Sequence, residues 1–123
     1  MHREEFINPL NAVINACESL RGESELSFYQ ERFVDAMLRS AHTMRDLVIS
    51  IPEIASAREI LSYEARSHLA SIIGYAEVLL DQVEGRLTPT QQRHVQAVRA
   101  NGAQMLNLLV RLLESADQSG SQL

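Results

Sequence analysis

The chain has 123 residues, 46% of them hydrophobic, a formal net charge of -5 and one cysteine. That is one domain of ordinary size, long enough to bury a core. The acidic balance argues against a nucleic-acid binder, which needs clustered Lys and Arg, and no apolar run approaches the roughly 20 residues that cross a bilayer.

The first apolar stripe is Phe6, Leu10, Val13, Cys17 and Leu20, a helical spacing of alternating fours and threes. It starts directly after the charged Met1-His2-Arg3-Glu4-Glu5, so no secretory leader is expected. Cys17 lies on the stripe without a CxxC spacing or basic neighbours and reads as a small buried hydrophobe, so no disulfide is expected. These features predict a cytoplasmic protein. A polar turn with Gly22 leads to Ser27-Phe-Tyr-Gln30, a capping box in which the hydroxyl accepts a backbone N–H and the Gln reaches back.

The second helix carries Val34, Met37, Ala41, Met44, Val48 and Ile51 on its stripe, and Pro52 is expected to end it. The third stripe is Ile54, Leu61, Ala65, Leu69, Ile72, Ala76, Leu79 and Val83. After a turn with Gly85, Thr88-Pro-Thr-Gln91 is a second capping box, with Pro89 at the first helical position, where its missing N–H costs nothing. The fourth stripe runs Val95, Val98, Gly102, Met105, Leu109, Leu112 and Ala116. The Gly/Ser-rich residues 119–123 are expected to be a flexible tail. No segment shows sustained strand alternation.

The four helices are two copies of one hairpin. A shift of 59 places Glu5 on Glu64, Leu10 on Leu69, Ile14 on Ile73 and Glu18 on Glu77. A shift of 61 then places Arg32 on Arg93, Val34 on Val95, Met44 on Met105 and Leu47 on Leu108, so the second turn is two residues longer. A lone hairpin cannot bury its stripe, whereas two in one chain bury each other's. The expectation is an all-α fold: an antiparallel four-helix bundle over 1–118, built from tandem hairpins at 3–51 and 53–118.

Residues 62–77 read Ser-Tyr-Glu-Ala-Arg-Ser-His-Leu-Ala-Ser-Ile-Ile-Gly-Tyr-Ala-Glu, and residues 3–18 read Arg-Glu-Glu-Phe-Ile-Asn-Pro-Leu-Asn-Ala-Val-Ile-Asn-Ala-Cys-Glu. Each resembles the phosphoacceptor helix of bacterial sensor histidine kinases, whose motif is His-Glu-(Leu/Phe)-Arg-(Thr/Asn)-Pro-Leu-x-x-Ile. The first copy keeps Glu5, Phe6, Asn8, Pro9, Leu10 and Asn11, with Ile7 in place of Arg. The second keeps Glu64, Arg66 and Leu69, has His68 in place of Pro, and follows the family's continuation through Ile72-Ile-Gly-Tyr-Ala-Glu-Val-Leu-Leu80. The resemblance covers Arg3 to Asp117 and implies that one chain imitates the kinase dimer, in which two subunits each supply a hairpin.

At the position of the phosphorylated His this chain has Glu4 in one copy and Tyr63 in the other. Phosphotransfer of this kind needs a neutral imidazole nitrogen to attack phosphorus, helped by the adjacent acid, here Glu5 or Glu64. Neither Glu nor Tyr forms the labile phosphoramidate that hands a phosphoryl group to an Asp. No Gly-rich nucleotide loop is present, so no catalytic activity, cofactor or ATP binding is expected. The remaining histidines are poor substitutes: His2 falls on the face opposite Glu4, His42 and His94 lie on the partner helices, and His68, about 140° around from Tyr63, is the best of them. None has the spacing of a metal site.

The resemblance implies a non-catalytic signalling adaptor or inhibitor of a two-component system. It would bind a response regulator receiver domain or a sensor histidine kinase through the bundle face below the acceptor position. Candidate contacts are Asn11, Asn15 and Ser19 in the first copy and Ala70, Tyr75 and Val78 in the second. The alternatives are a phosphotransferase working through His68 and a structural oligomerisation bundle. Two hairpins in cis favour a monomer; a swapped homodimer would follow if the second and third helices ran on as one.

Overall fold

A computed structural model describes residues 3–22, 25–51 and 58–121 of the chain, with the side chains of Arg58 and 115–121 left aside. Helix α1 spans Arg3–Gly22 and α2 spans Phe28–Ser50. Helix α3 covers 58–80 in three pieces, an opening turn Arg58–Ile60, a π-helical turn Leu61–Ala65 and an α-helical body Arg66–Leu80. Helix α4 spans Pro89–Ser121. The described residues contain no strand. His2, Pro52 and Ile54 lie outside them.

The helices form an antiparallel four-helix bundle. Helix α1 packs on α2 and α4, and α3 packs on the same two, so α1 and α3 face each other diagonally. The predicted stripes are its core: Phe6, Leu10, Val13, Cys17 and Leu20 of α1 are fully buried, as are Val34, Met37, Ala41, Met44 and Val48 of α2. Opposite them sit Leu61, Ala65, Leu69, Ile72, Ala76 and Leu79 of α3 and Val95, Val98, Met105 and Leu109 of α4. Ile14, Ala16 and Leu38 are also buried, which widens the apolar face beyond a two-position seam. Helix α2 ends as Pro52 requires: Ile51 is extended at φ -78°, ψ 119°. Helix α2 thus stops at Ser50, and the four described helices pack on one another.

Three expectations about the stripes and ends are corrected. Val83 was expected on the α3 stripe but is 77% exposed, because the helix ends at Leu80 and Gln82 turns left-handed at φ 57°. Leu112 is only half-buried while Leu113 is buried, since a strict alternation of threes and fours drifts around a straight helix. The described part of α4 runs through Ser121. Gly22, expected in the turn, is the last residue of α1.

Both turns meet at one end of the bundle, and the capping boxes do more than cap. Gln30 N–H donates to Ser27 Oγ at 3.2 Å, and Ser27 N–H donates to Gln30 Oε1 at 2.8 Å. The pair at Thr88 and Gln91 repeats this at 3.1 and 2.9 Å. In the first hairpin the same residues also reach across: Ser27 Oγ donates to the Glu84 carbonyl at 2.8 Å and Gln30 Nε2 to the Gly85 carbonyl at 2.8 Å. Gly85 adopts φ 144°, a region that disfavours side chains, and an added Cβ there would meet Gln30 Nε2 at 2.9 Å. The two hairpins are thus pinned turn to turn through one buried glutamine.

Candidate functional site

The starts of α1 and α3 lie at the end of the bundle opposite the turns. Arg3 of α1 anchors this end by donating from its guanidinium to the Ile51 carbonyl at the end of α2. Glu4 and Glu5 are exposed, as is Glu64. Tyr63 is 77% exposed, a phenol in open solvent at the position equivalent to Glu4. The two helices differ close to these residues: α1 is α-helical throughout, and α3 carries a π turn. In α1, Pro9 removes the N–H that would bond to the Glu5 carbonyl and crowds that oxygen. In α3 the π turn Leu61–Ala65 contains Tyr63 itself and passes into the α-helical body where Arg66 N–H donates to the Tyr63 carbonyl.

Positions 4 and 63 carry Glu and Tyr, and the described histidines lie elsewhere. His68 is half-buried in the α3 body, beyond the π turn and off the outward line of Tyr63. His42 is half-buried on α2, its Nδ1 3.3 Å from Arg45 Nη2. His94 is half-buried on α4. Cys17 is fully buried, and burial, followed by the nearby Glu18 charge, pushes its thiol up to about 12. A thiol held that strongly in its neutral form is not a nucleophile.

The proposed contact residues separate into two groups. Ala70, Tyr75 and Val78 come together, lining with Ser67, Ser71 and Gly74 a shallow groove of about 460 Å³ on the outer face of α3. Val78 is 40% exposed. Tyr75 is half-buried and stacks on Phe33 of α2, ring centroids 5.4 Å apart and planes at 27°. Asn11, Asn15 and Ser19 lie on α1, across the bundle diagonal, so the two groups do not form one surface. Asn11 and Asn15 are exposed and Ser19 half-buried, and Asn11 Oδ1 accepts from Arg45 Nη1 at 3.3 Å.

Sequence reasoning missed Phe33 and Gly74, although a glycine inside a strong helical pattern was a usable signal. It also missed an exposed pair at the turn end. Phe28 and Tyr29 are 65% and 54% exposed and meet edge to face at 5.3 Å, with the Arg32 guanidinium 5.5 Å from the Phe28 centroid. Among the described residues no helix is long and apolar enough to cross a membrane, and no three His, Cys, Asp or Glu side chains cluster as a metal site would need. No known protein family, curated protein or solved structure matches the chain.

Proposed function

We propose that the chain is a non-catalytic adaptor or inhibitor of a cytoplasmic two-component system. In this reading the bundle imitates the dimeric helical module of a sensor histidine kinase and binds a response regulator receiver domain, or the kinase helices themselves, without accepting phosphate. The observation that carries it is the groove of Ala70, Tyr75 and Val78, about two to four turns beyond an acceptor position occupied by an exposed Tyr63. An apolar and aromatic recess is what an interface core needs. A phenol in place of imidazole leaves recognition possible and removes the labile phosphoryl carrier. The chain acts as a monomer in this reading, its second hairpin supplying what a second kinase subunit would.

The test is direct. Purified receiver domains encoded in the same genome are titrated with the chain by calorimetry, and a receiver labelled with radioactive phosphate is then incubated with it. Binding without transfer of label is expected. An acid-labile, base-stable label on the chain that disappears in His68→Ala would overturn the adaptor in favour of a phosphotransferase. Failure of every receiver and kinase to bind would leave a structural bundle.

A further inference from the structure

The chain has five asparagines, and one of them, Asn101, is followed by glycine. No aspartate is. An Asn-Gly pair is chemically labile. With no side chain on the second residue, its backbone nitrogen can swing onto the side-chain carbonyl carbon of the first.

The fold both requires this pair and disarms it. Gly102 is buried, and an added Cβ would meet Ile73 Cγ1 at 2.9 Å, so the packing of α4 on α3 calls for glycine there. The equivalent pair in the first hairpin, by the shift of 61, is Ser40-Ala41, so the repeat itself does not impose Asn-Gly. Asn101 is half-buried, and its Nδ2 donates to the Ala97 carbonyl at 2.8 Å, which holds the amide toward the preceding turn. The Gly102 nitrogen is committed as well, because the i to i−4 ladder of α4 takes up its N–H. Attack needs both bonds released and Asn101 ψ moved away from the helical value of about −42°.

We propose that Asn101-Gly102 is a latent self-modification site, closed while α4 is helical and spent when α4 opens. In the opened chain the Gly102 nitrogen bonds to Asn101 Cγ. The bond from Cγ to Nδ2 breaks, and Nδ2 leaves as ammonia with the proton that Gly102 gave up. Water then opens the cyclic imide, its hydroxyl adding to a carbonyl carbon and its hydrogen to the ring nitrogen. Opening at the side-chain carbonyl leaves an aspartyl residue at 101, and opening at the backbone carbonyl leaves an isoaspartyl residue. Water is the one co-reactant.

Neither product suits α4. A carboxylate cannot donate to the Ala97 carbonyl. An isoaspartyl residue inserts an extra backbone carbon between Val98 and Met105, both fully buried, and so breaks the register of the stripe. Each opening long enough for the chemistry therefore removes a chain from the pool that refolds unaltered.

The experiment incubates the full chain at mildly alkaline pH over a series of guanidinium chloride concentrations, with the unfolded fraction read by circular dichroism. Cleavage after Arg99 and Arg111 yields the peptide 100–111, in which mass spectrometry scores the conversion of amide to acid at Asn101. Isoaspartyl residues are counted by methyl transfer from S-adenosylmethionine with an isoaspartyl methyltransferase. Conversion at Asn101 is expected in the unfolded chain and about tenfold or more slower in the native one, with a rate that follows the unfolded fraction. Asn107, followed by Leu108 in the same peptide, serves as the slow internal control. Asn101→Ala should abolish the isoaspartyl signal, and converted chains should melt below unconverted ones. Equal rates in the folded and unfolded chain, an isoaspartyl signal that survives Asn101→Ala, or converted chains that melt as wild type does would each overturn the proposal.

Discussion

The two halves of this chain share a core and differ at their surfaces. Leu10 and Leu69 are equivalent and both fully buried, as are Met44 and Met105. The outward residues on the same helices diverge into an amide-lined face and an apolar groove. Burial constrains volume and polarity tightly at the four-helix seam, because interiors are close-packed and tolerate few changes. Nothing in the fold imposes the same constraint on the outside, so a repeat can keep its architecture while one face specialises. The likeness of the halves therefore speaks about folding, and their difference lies where folding sets few demands.

The comparison can be broken most forcefully at the core. Leu10→Ala and Leu69→Ala should each lower unfolding free energy by about 2–5 kcal/mol, and by similar amounts, in denaturant melts. A large disparity would mean that the halves do not contribute equally to one core. The turn end should be unequal instead. Gln30→Ala removes the capping-box contact and the bond to the Gly85 carbonyl, about 2 kcal/mol together, whereas Gln91→Ala removes its capping-box contact for about 1 kcal/mol.

The glycines should differ in sign. Gly102→Ala destabilises by about 1 kcal/mol, since the clash with Ile73 outweighs the gain in helix propensity, while Gly74→Ala stabilises by up to about 1 kcal/mol in thermal melts. A stabilising Gly102→Ala would show that α3 and α4 are less closely packed than the 2.9 Å approach requires.

The smallest effect at neutral pH belongs to Cys17, whose counterpart in the second half is Ala76. The buried thiol is raised from 9.0 to about 12, so the unfolded chain releases its proton first as pH rises. The stability linked to the neutral thiol is whole below pH 9 and is lost between about 9 and 12. Cys17→Ala should flatten that part of the pH–stability curve, and native Cys17 should resist a thiol reagent at pH 8 until the chain is unfolded.

Much of the architecture was legible in the residues alone. Stripes of alternating threes and fours, two capping boxes and a doubled hairpin leave few ways to bury the apolar surface, and the four-helix bundle is the one observed. The element ends were less legible: Val83 and Leu112 satisfy the periodic pattern, but a turn at Gln82 and the drift of a straight helix decide where they point. The π turn around Tyr63 has no composition signal, since it reflects how the start of α3 fits against its neighbours. Of the candidate contacts, Ala70, Tyr75 and Val78 could be placed on one outward line by spacing, but the stacking of Tyr75 on Phe33 joins two helices and has no signal in either segment.

The sequence by itself determined the helical repeat, the composition of the core and the presence of Glu and Tyr at the equivalent positions 4 and 63, because each is a property of residue type and spacing along one chain. Only the tertiary structure decided that the two motif helices lie diagonally apart, that Gln30 ties one hairpin to the other's turn, and that Tyr75 of α3 stacks on Phe33 of α2. Those are relations between segments distant in sequence, set by which helices are neighbours in the bundle, and no local periodicity carries that information.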